Sequence, residues 1–101
     1  YERGAEAFGQ GRALLEQGRA GEAVVALRKG LAQTPQNAEL RAALGLALVE
    51  TGNVTEAAGY LEQAAKEIPH RGPVWMGLAK VAEAAGDRPR TLRLYRQALT
   101  R

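Results

Sequence analysis

Apolar residues recur along this chain at three- and four-residue spacings, in six stretches separated by polar or glycine-bearing breaks. Ala7, Leu14 and Leu15 make up the first set, and Ala23, Val24, Leu27 and Leu31 the second. Residues so spaced share one face of an α-helix. The pattern predicts helices at about 4–17, 20–33, 38–51, 54–67, 72–85 and 88–100. Gly18 and Gly21 supply the first turn, and Pro35 stops the second helix, because proline disfavours helical geometry in the residue before it. Asn53, followed three residues later by Glu56, reads as a capping box. Asp87 reads as a helix cap, with Pro89 in the first turn where a missing amide proton costs nothing. No stretch alternates apolar and polar residues as a strand would. The fold class is therefore all-α, an antiparallel array of helices.

These helices pair up and repeat every thirty-four residues. From the middle third backwards, Gly45 falls on Gly11, Leu48 on Leu14, Gly52 on Gly18, Ala57 on Ala23, Leu61 on Leu27 and Pro69 on Pro35. Forwards, Leu44 falls on Leu78, Gly45 on Ala79, Gly52 on Gly86, Leu61 on Tyr95 and Ala64 on Ala98. A period of this length marks a stacked repeat rather than one irregular globule. Three helix-turn-helix repeats, at about 4–37, 38–71 and 72–101, make one domain over 1–101. Tyr1 is not a methionine, so the chain is expected to be part of a longer protein, with cytoplasm and periplasm both open.

Composition adds exclusions. With 46% hydrophobic and 25% charged residues the chain resembles ordinary folded domains. No apolar run approaches the roughly 18 residues needed to cross a bilayer. The chain has no cysteine or serine, one histidine and one aspartate, so the common nucleophile–base constellations have no members here. His70 has no second metal-ligand candidate beside it and reads as a loop residue. Neither a metal site nor a cofactor is expected, and the chain is read as not being an enzyme. Gly9 and Gly11 begin a glycine pattern that ends at Leu14 with no preceding strand, which rules out a dinucleotide loop. Glycines inside helices need a reason, since each costs roughly 0.5–1 kcal/mol against alanine. Gly11 and Gly45 share one repeat position and flank apolar ones, which predicts close helix approach there.

Leu44, Gly45, Leu48, Ala57, Leu61, Ala64 and Pro69 match in order the small and large positions that mark the tetratricopeptide repeat family, which this chain resembles over nearly its whole length. Trp75, Leu78, Ala79, Tyr95 and Ala98 fill the pattern in the third copy, and Gly11, Leu14, Ala23, Leu27 and Pro35 in the first. Departures are Ala7 and Arg41 where Trp75 sits, Gly30 in place of a last alanine, and Thr91 where Ala23 and Ala57 stand. The resemblance implies a right-handed α-solenoid whose first helices line a concave groove for peptides or helices of other proteins. In co-chaperone members that grip a C-terminal carboxylate, the gripping positions would fall on Phe8, Arg12, Ala43, Pro73 and Gly77. Only Arg12 is polar, so that mode is not expected. The asparagine ladder of repeat-bearing glycosyltransferases would fall on Gly9, Ala43 and Gly77, and it is absent.

Periodicity picks out the groove residues independently. At about 100° per residue, Ala43, Leu46 and Glu50 lie opposite the face that holds Leu44, Gly45 and Leu48, with Val49 at the flank. The matching residues are Phe8, Arg12, Leu15 and Glu16 in the first copy and Met76, Lys80 and Glu83 in the third. A solitary surface helix would be polar on this face. Instead it predicts an apolar floor with a few rim charges, suited to an apolar strip or amphipathic helix of a partner.

Two other readings follow from the last helix. The net charge of +3 is concentrated there, since Arg88, Arg90, Arg93, Arg96 and Arg101 follow Asp87 with no further acid. Such a face can attract nucleic acid, although helical repeats that read RNA carry polar base-reading residues and this groove is apolar. Tyr95 and Leu99 lie where a next repeat would stack, which predicts either a longer array or a homo-oligomer formed through the terminal helices.

Overall fold

The computed structural model describes residues 2–100, and among these it contains six helices and no strand. They are α1 (Glu2–Glu16), α2 (Ala20–Gln33), α3 (Ala38–Glu50), α4 (Val54–Glu67), α5 (Gly72–Ala84) and α6 (Arg88–Thr100). Each lies within two residues of its predicted bounds. Arg101, the last arginine of the predicted basic face, is outside the described residues.

The three internal turns are built alike. Gly18, Gly52 and Gly86 have φ of 76°, 89° and 78°, the left-handed region that a side chain resists. Past each of them the next backbone amide donates to the carbonyl five residues earlier: Arg19 to Leu14 at 2.8 Å, Asn53 to Leu48 at 2.9 Å and Asp87 to Ala82 at 3.0 Å. That is the Schellman closure of a helix end. Asp87 caps α6 as predicted, its carboxylate accepting from the Arg90 amide at 3.2 Å. The capping box at Asn53 does not form. The Asn53 side-chain amide donates to the Thr51 hydroxyl, and Glu56 instead accepts from both terminal guanidinium nitrogens of Arg28, at 2.7 and 3.0 Å. A charge-assisted bidentate pair outcompetes a neutral backbone cap.

Helices pack within pairs, α1 on α2, α3 on α4 and α5 on α6, and each second helix packs on the next first helix. The first helices also touch in series, α1 with α3 and α3 with α5. They form the inner layer of a body measuring 39 × 24 × 20 Å. Leu27, Leu40, Leu44, Leu48, Leu61 and Val74 are fully buried at its centre, each burial stabilising the fold by about 1.5–3 kcal/mol. The helix α3 is enclosed by four others. Accordingly it carries apolar residues all round, with Leu40 to Gly45, Ala47 and Leu48 all buried.

Gly45 and Gly77 meet the side chain of Leu61 from two sides. A methyl group on Gly45 would stand 2.7 Å from Leu61 Cγ, and one on Gly77 2.9 Å from Leu61 Cδ1. Glycine at these places is a packing requirement, as the sequence predicts for Gly45. Gly59 faces open space, and nothing in the packing explains it.

Arg41 departs from the expected large apolar residue and is nonetheless only 6% exposed. Its Nη1 donates to the Pro35 carbonyl at 2.5 Å and its Nη2 to Glu67 at 2.5 Å. One period later, the Trp75 indole N–H donates to the Pro69 carbonyl at 2.7 Å. The two residues do the same job with different chemistry. Each ties a first helix to the proline carbonyl that the preceding helix end leaves without a helical donor.

Candidate functional site

Between α1 and α3 the inner layer opens into a cavity of about 300 Å³. Phe8, Arg12, Leu15 and Glu16 form its α1 wall, and Glu39, Ala42, Ala43 and Leu46 come from α3. Ile68 and Arg71 on the α4–α5 connection and Pro73 and Val74 at the start of α5 close the far side. The floor is low because Ala42 and Ala43 are small and buried, while Phe8, Leu15, Leu46 and Ile68 stay half-buried around it. An apolar concavity of this size has the character of a site for an apolar group.

Charge is confined to the rim. The Arg12 guanidinium lies 5.7 Å from the centroid of the Phe8 ring, a cation–π contact that steadies the aromatic wall. Across the opening Arg71 and Glu39 form an ion pair. These groups are largely solvated, so each contributes at most about 1 kcal/mol to stability.

Of the residues predicted to line the groove, Phe8, Arg12, Leu15, Glu16, Ala43 and Leu46 meet in this cavity. Val49, Glu50, Met76, Lys80 and Glu83 lie outside it. They belong to the lower half, between α3 and α5, which is filled. There a methyl on Gly77 would stand 2.8 Å from Leu46 Cδ2, and Lys80 bridges to Glu50 at 3.5 Å. Met76 stays 37% exposed beside them. Sequence reasoning left Ile68, Arg71 and Val74 out of the groove. Their contribution depends on the α4–α5 connection folding back towards α1, for which no spacing within one helix gives a signal.

The other faces carry different chemistry. A shallow crevice of about 550 Å³ is lined by Trp75, Arg90, Arg93, Leu94, Arg96, Gln97 and Thr100. Arg90 approaches Glu62 at 3.7 Å. On the outer side the hydrogen bond from Arg28 holds the Glu56 carboxyl below the ordinary carboxylate range and raises the guanidinium in turn. Among the described residues no three His, Cys, Asp or Glu side chains stand together as metal ligands, and no helix is long and apolar enough to cross a membrane.

Stacked helix pairs with first helices lining a concave face define a helical-repeat solenoid. A tetratricopeptide-repeat family model matches residues 8–72, and the chain belongs to that family. Among solved structures it resembles the second tetratricopeptide-repeat domain of Spaghetti (RPAP3), which was solved bound to an HSP90 peptide. The TM-score is 0.83 at 16% sequence identity, over 97% of this chain and 91% of that one. This likeness is one of fold. A search of curated proteins found no match.

Proposed function

We propose that this chain is a protein-interaction module whose concave cavity holds an apolar anchor from a partner's peptide or amphipathic helix. The observation that carries the reading is the open, apolar cavity walled by Phe8 and Leu15 and floored by Ala42, Ala43 and Leu46. A bulky leucine- or phenylalanine-like side chain fits its chemistry, with Arg12 and Glu16 meeting polar groups that flank the anchor. The RPAP3 domain, which shares the fold, was solved with a bound HSP90 peptide, and this supports a peptide-binding role. Four of the five positions associated with carboxylate gripping are Phe8, Ala43, Pro73 and Gly77, so a C-terminal carboxylate is not the expected determinant. The module is read as a scaffold that takes part in assembling larger complexes, without catalytic activity of its own.

The test is peptide selection from a random library against the purified chain, followed by affinity measurement with Phe8→Glu. Selected peptides should share an apolar anchor and lose about tenfold or more in affinity, with the circular dichroism melt unchanged. Equal affinity for the variant would sink the reading. A second reading, nucleic-acid binding, is favoured only by the Trp75 and arginine crevice. It requires RNA affinity that falls steeply with salt and disappears in Arg93→Glu.

A further inference from the structure

The crevice on the outer side of the third repeat carries chemistry that the groove lacks. Arg90, Arg93 and Arg96 line it at intervals of three residues along α6, with buried Leu94 among them and Trp75 contributed by α5. Among the described residues no carboxylate lines it. Arg90 has only Glu62 at 3.7 Å, between two solvated side chains, and Arg93 and Arg96 make no ion pair among the described residues.

The repeat itself does not call for these cations. At the same three positions the first repeat has Glu22, Val25 and Arg28, and the second has Glu56, Gly59 and Glu62. Those copies stack equally well. In α6, like charges three residues apart repel one another, and the first turn holds arginines and no acid, against the helix dipole. The set therefore works against its own helix until an anion neutralises it.

Access to the crevice is set within the repeat. At about 100° per residue, Arg90, Arg93, Gln97 and Thr100 lie nearly opposite Leu92, Tyr95 and Leu99, the side on which one repeat meets the next. The positions of Arg93 and Gln97 are held earlier by Val25 and Lys29 and by Gly59 and Gln63. All four are exposed, although a further repeat stacks on each of those two.

Guanidinium forks match phosphate and carboxylate alike, each through two hydrogen bonds. Trp75 decides between them. The Pro69 carbonyl accepts its indole N–H at 2.7 Å, which holds the ring in place at the crevice wall. A held indole is a platform on which a nucleobase stacks, whereas a run of acidic residues brings no planar group to it.

We infer that this crevice binds single-stranded nucleic acid, with phosphates along Arg90, Arg93 and Arg96 and a base against Trp75. A duplex is disfavoured, because its bases are already stacked inside the helix. From Arg90 to Thr100 the edge is about 15 Å long, enough for a few nucleotides. The inference develops the second reading above and adds a site to the module, leaving the groove free for a protein partner. The apolar character of the groove, which counts against base reading there, has no bearing on this crevice.

The experiment titrates the intact chain against fluorescein-labelled decauridylate, a duplex of the same length and polyglutamate, by fluorescence anisotropy. Unlabelled decauridylate is followed by tryptophan emission, which reports on Trp75 alone because it is the only tryptophan. Decauridylate should bind and quench Trp75. Its log affinity should fall with log salt at a slope of about −2, as expected for roughly three neutralised phosphates on a single strand. Arg93→Glu, which alters an exposed side chain, should weaken binding about tenfold or more, Arg93→Lys should restore most of it, and Phe8→Glu should change nothing. Duplex and polyglutamate should bind at least about tenfold more weakly. Absence of binding overturns the proposal, and so does binding lost in Phe8→Glu but kept in Arg93→Glu, which would move the strand to the groove. Equal affinity for the duplex, or saturation without quenching, would leave general RNA affinity standing and remove the stacked single strand. Equal affinity for polyglutamate would make the crevice an acidic-peptide site and equally overturn it.

Discussion

The two halves of the concave face are built from the same repeat positions, yet one is open and the other is filled. Between α1 and α3, Phe8 and Arg12 stand opposite Ala43 and Leu46 around the cavity. Between α3 and α5, the corresponding residues are Ala42 and Leu46 opposite Gly77 and Lys80. Gly77 has no side chain, so Leu46 packs down over it onto Leu61, and Lys80 closes over the top to Glu50. In the upper half Arg12 is drawn over Phe8, and the position matching Lys80 is Leu46, which leaves Glu16 without that bridge. A repeat therefore specifies a stack, whereas single substitutions at its inner positions decide where the stack is hollow.

The largest expected effect tests what both halves rest on. Leu61 lies beneath Gly45 and Gly77 and is fully buried. Leu61→Ala should cost about 2–5 kcal/mol in urea unfolding, and Leu46 should lose its seat, so that the filled half opens with the rest. A loss under about 1 kcal/mol would show that the halves do not share this support.

Next come the anchors, Arg41 for the upper half and Trp75 for the lower. Arg41→Ala leaves the Pro35 carbonyl without its donor and should cost about 1–3 kcal/mol. Arg41→Trp copies the other half and should recover most of that stability in the same unfolding assay. Failure of tryptophan to rescue would separate the two anchors in kind.

A smaller change exchanges the floors. Gly77→Ala gives the lower half the residue of the upper. Its methyl gains about 0.5–1 kcal/mol of helix propensity but meets Leu46 and Leu61 below 3.0 Å, an overpacking cost of about 1–3 kcal/mol. A net loss near 1 kcal/mol is expected, accompanied by displacement of Leu46 in methyl NMR spectra. Unmoved methyl signals would break the explanation of why this half is shut.

The smallest effect concerns the joint behind the upper half. Glu56 has its carboxyl lowered in the folded chain by Arg28, so its contribution is present above the unfolded-state value and is lost as pH falls through the folded one. The difference in stability between the native chain and Glu56→Gln should shrink on acidification below the ordinary carboxylate range. A difference that grows at low pH would contradict the pairing.

Much of this was legible in the residues. The spacing of Leu44, Leu48, Leu61 and Ala64 placed the core, the glycines thirty-four residues apart placed the turns, and the residues facing away from that core included six that meet in the cavity. Arg41 was not legible as a core residue. Its burial depends on Pro35 in the α2–α3 connection and on Glu67 of α4, and a charged residue at an apolar position reads as a fault until its partners are seen. The capping box at Asn53 misled for the same reason, because Arg28 competes for Glu56 from twenty-eight residues away.

Local periodicity by itself determined the helices, the repeat and which faces turn inward, since these depend on neighbours three, four or thirty-four residues apart. Only the tertiary structure decided that the upper half of the groove is hollow and that the lower half is filled by Leu46. Those outcomes depend on how side chains from different repeats share a fixed volume, and that volume is defined only once the helices have stacked.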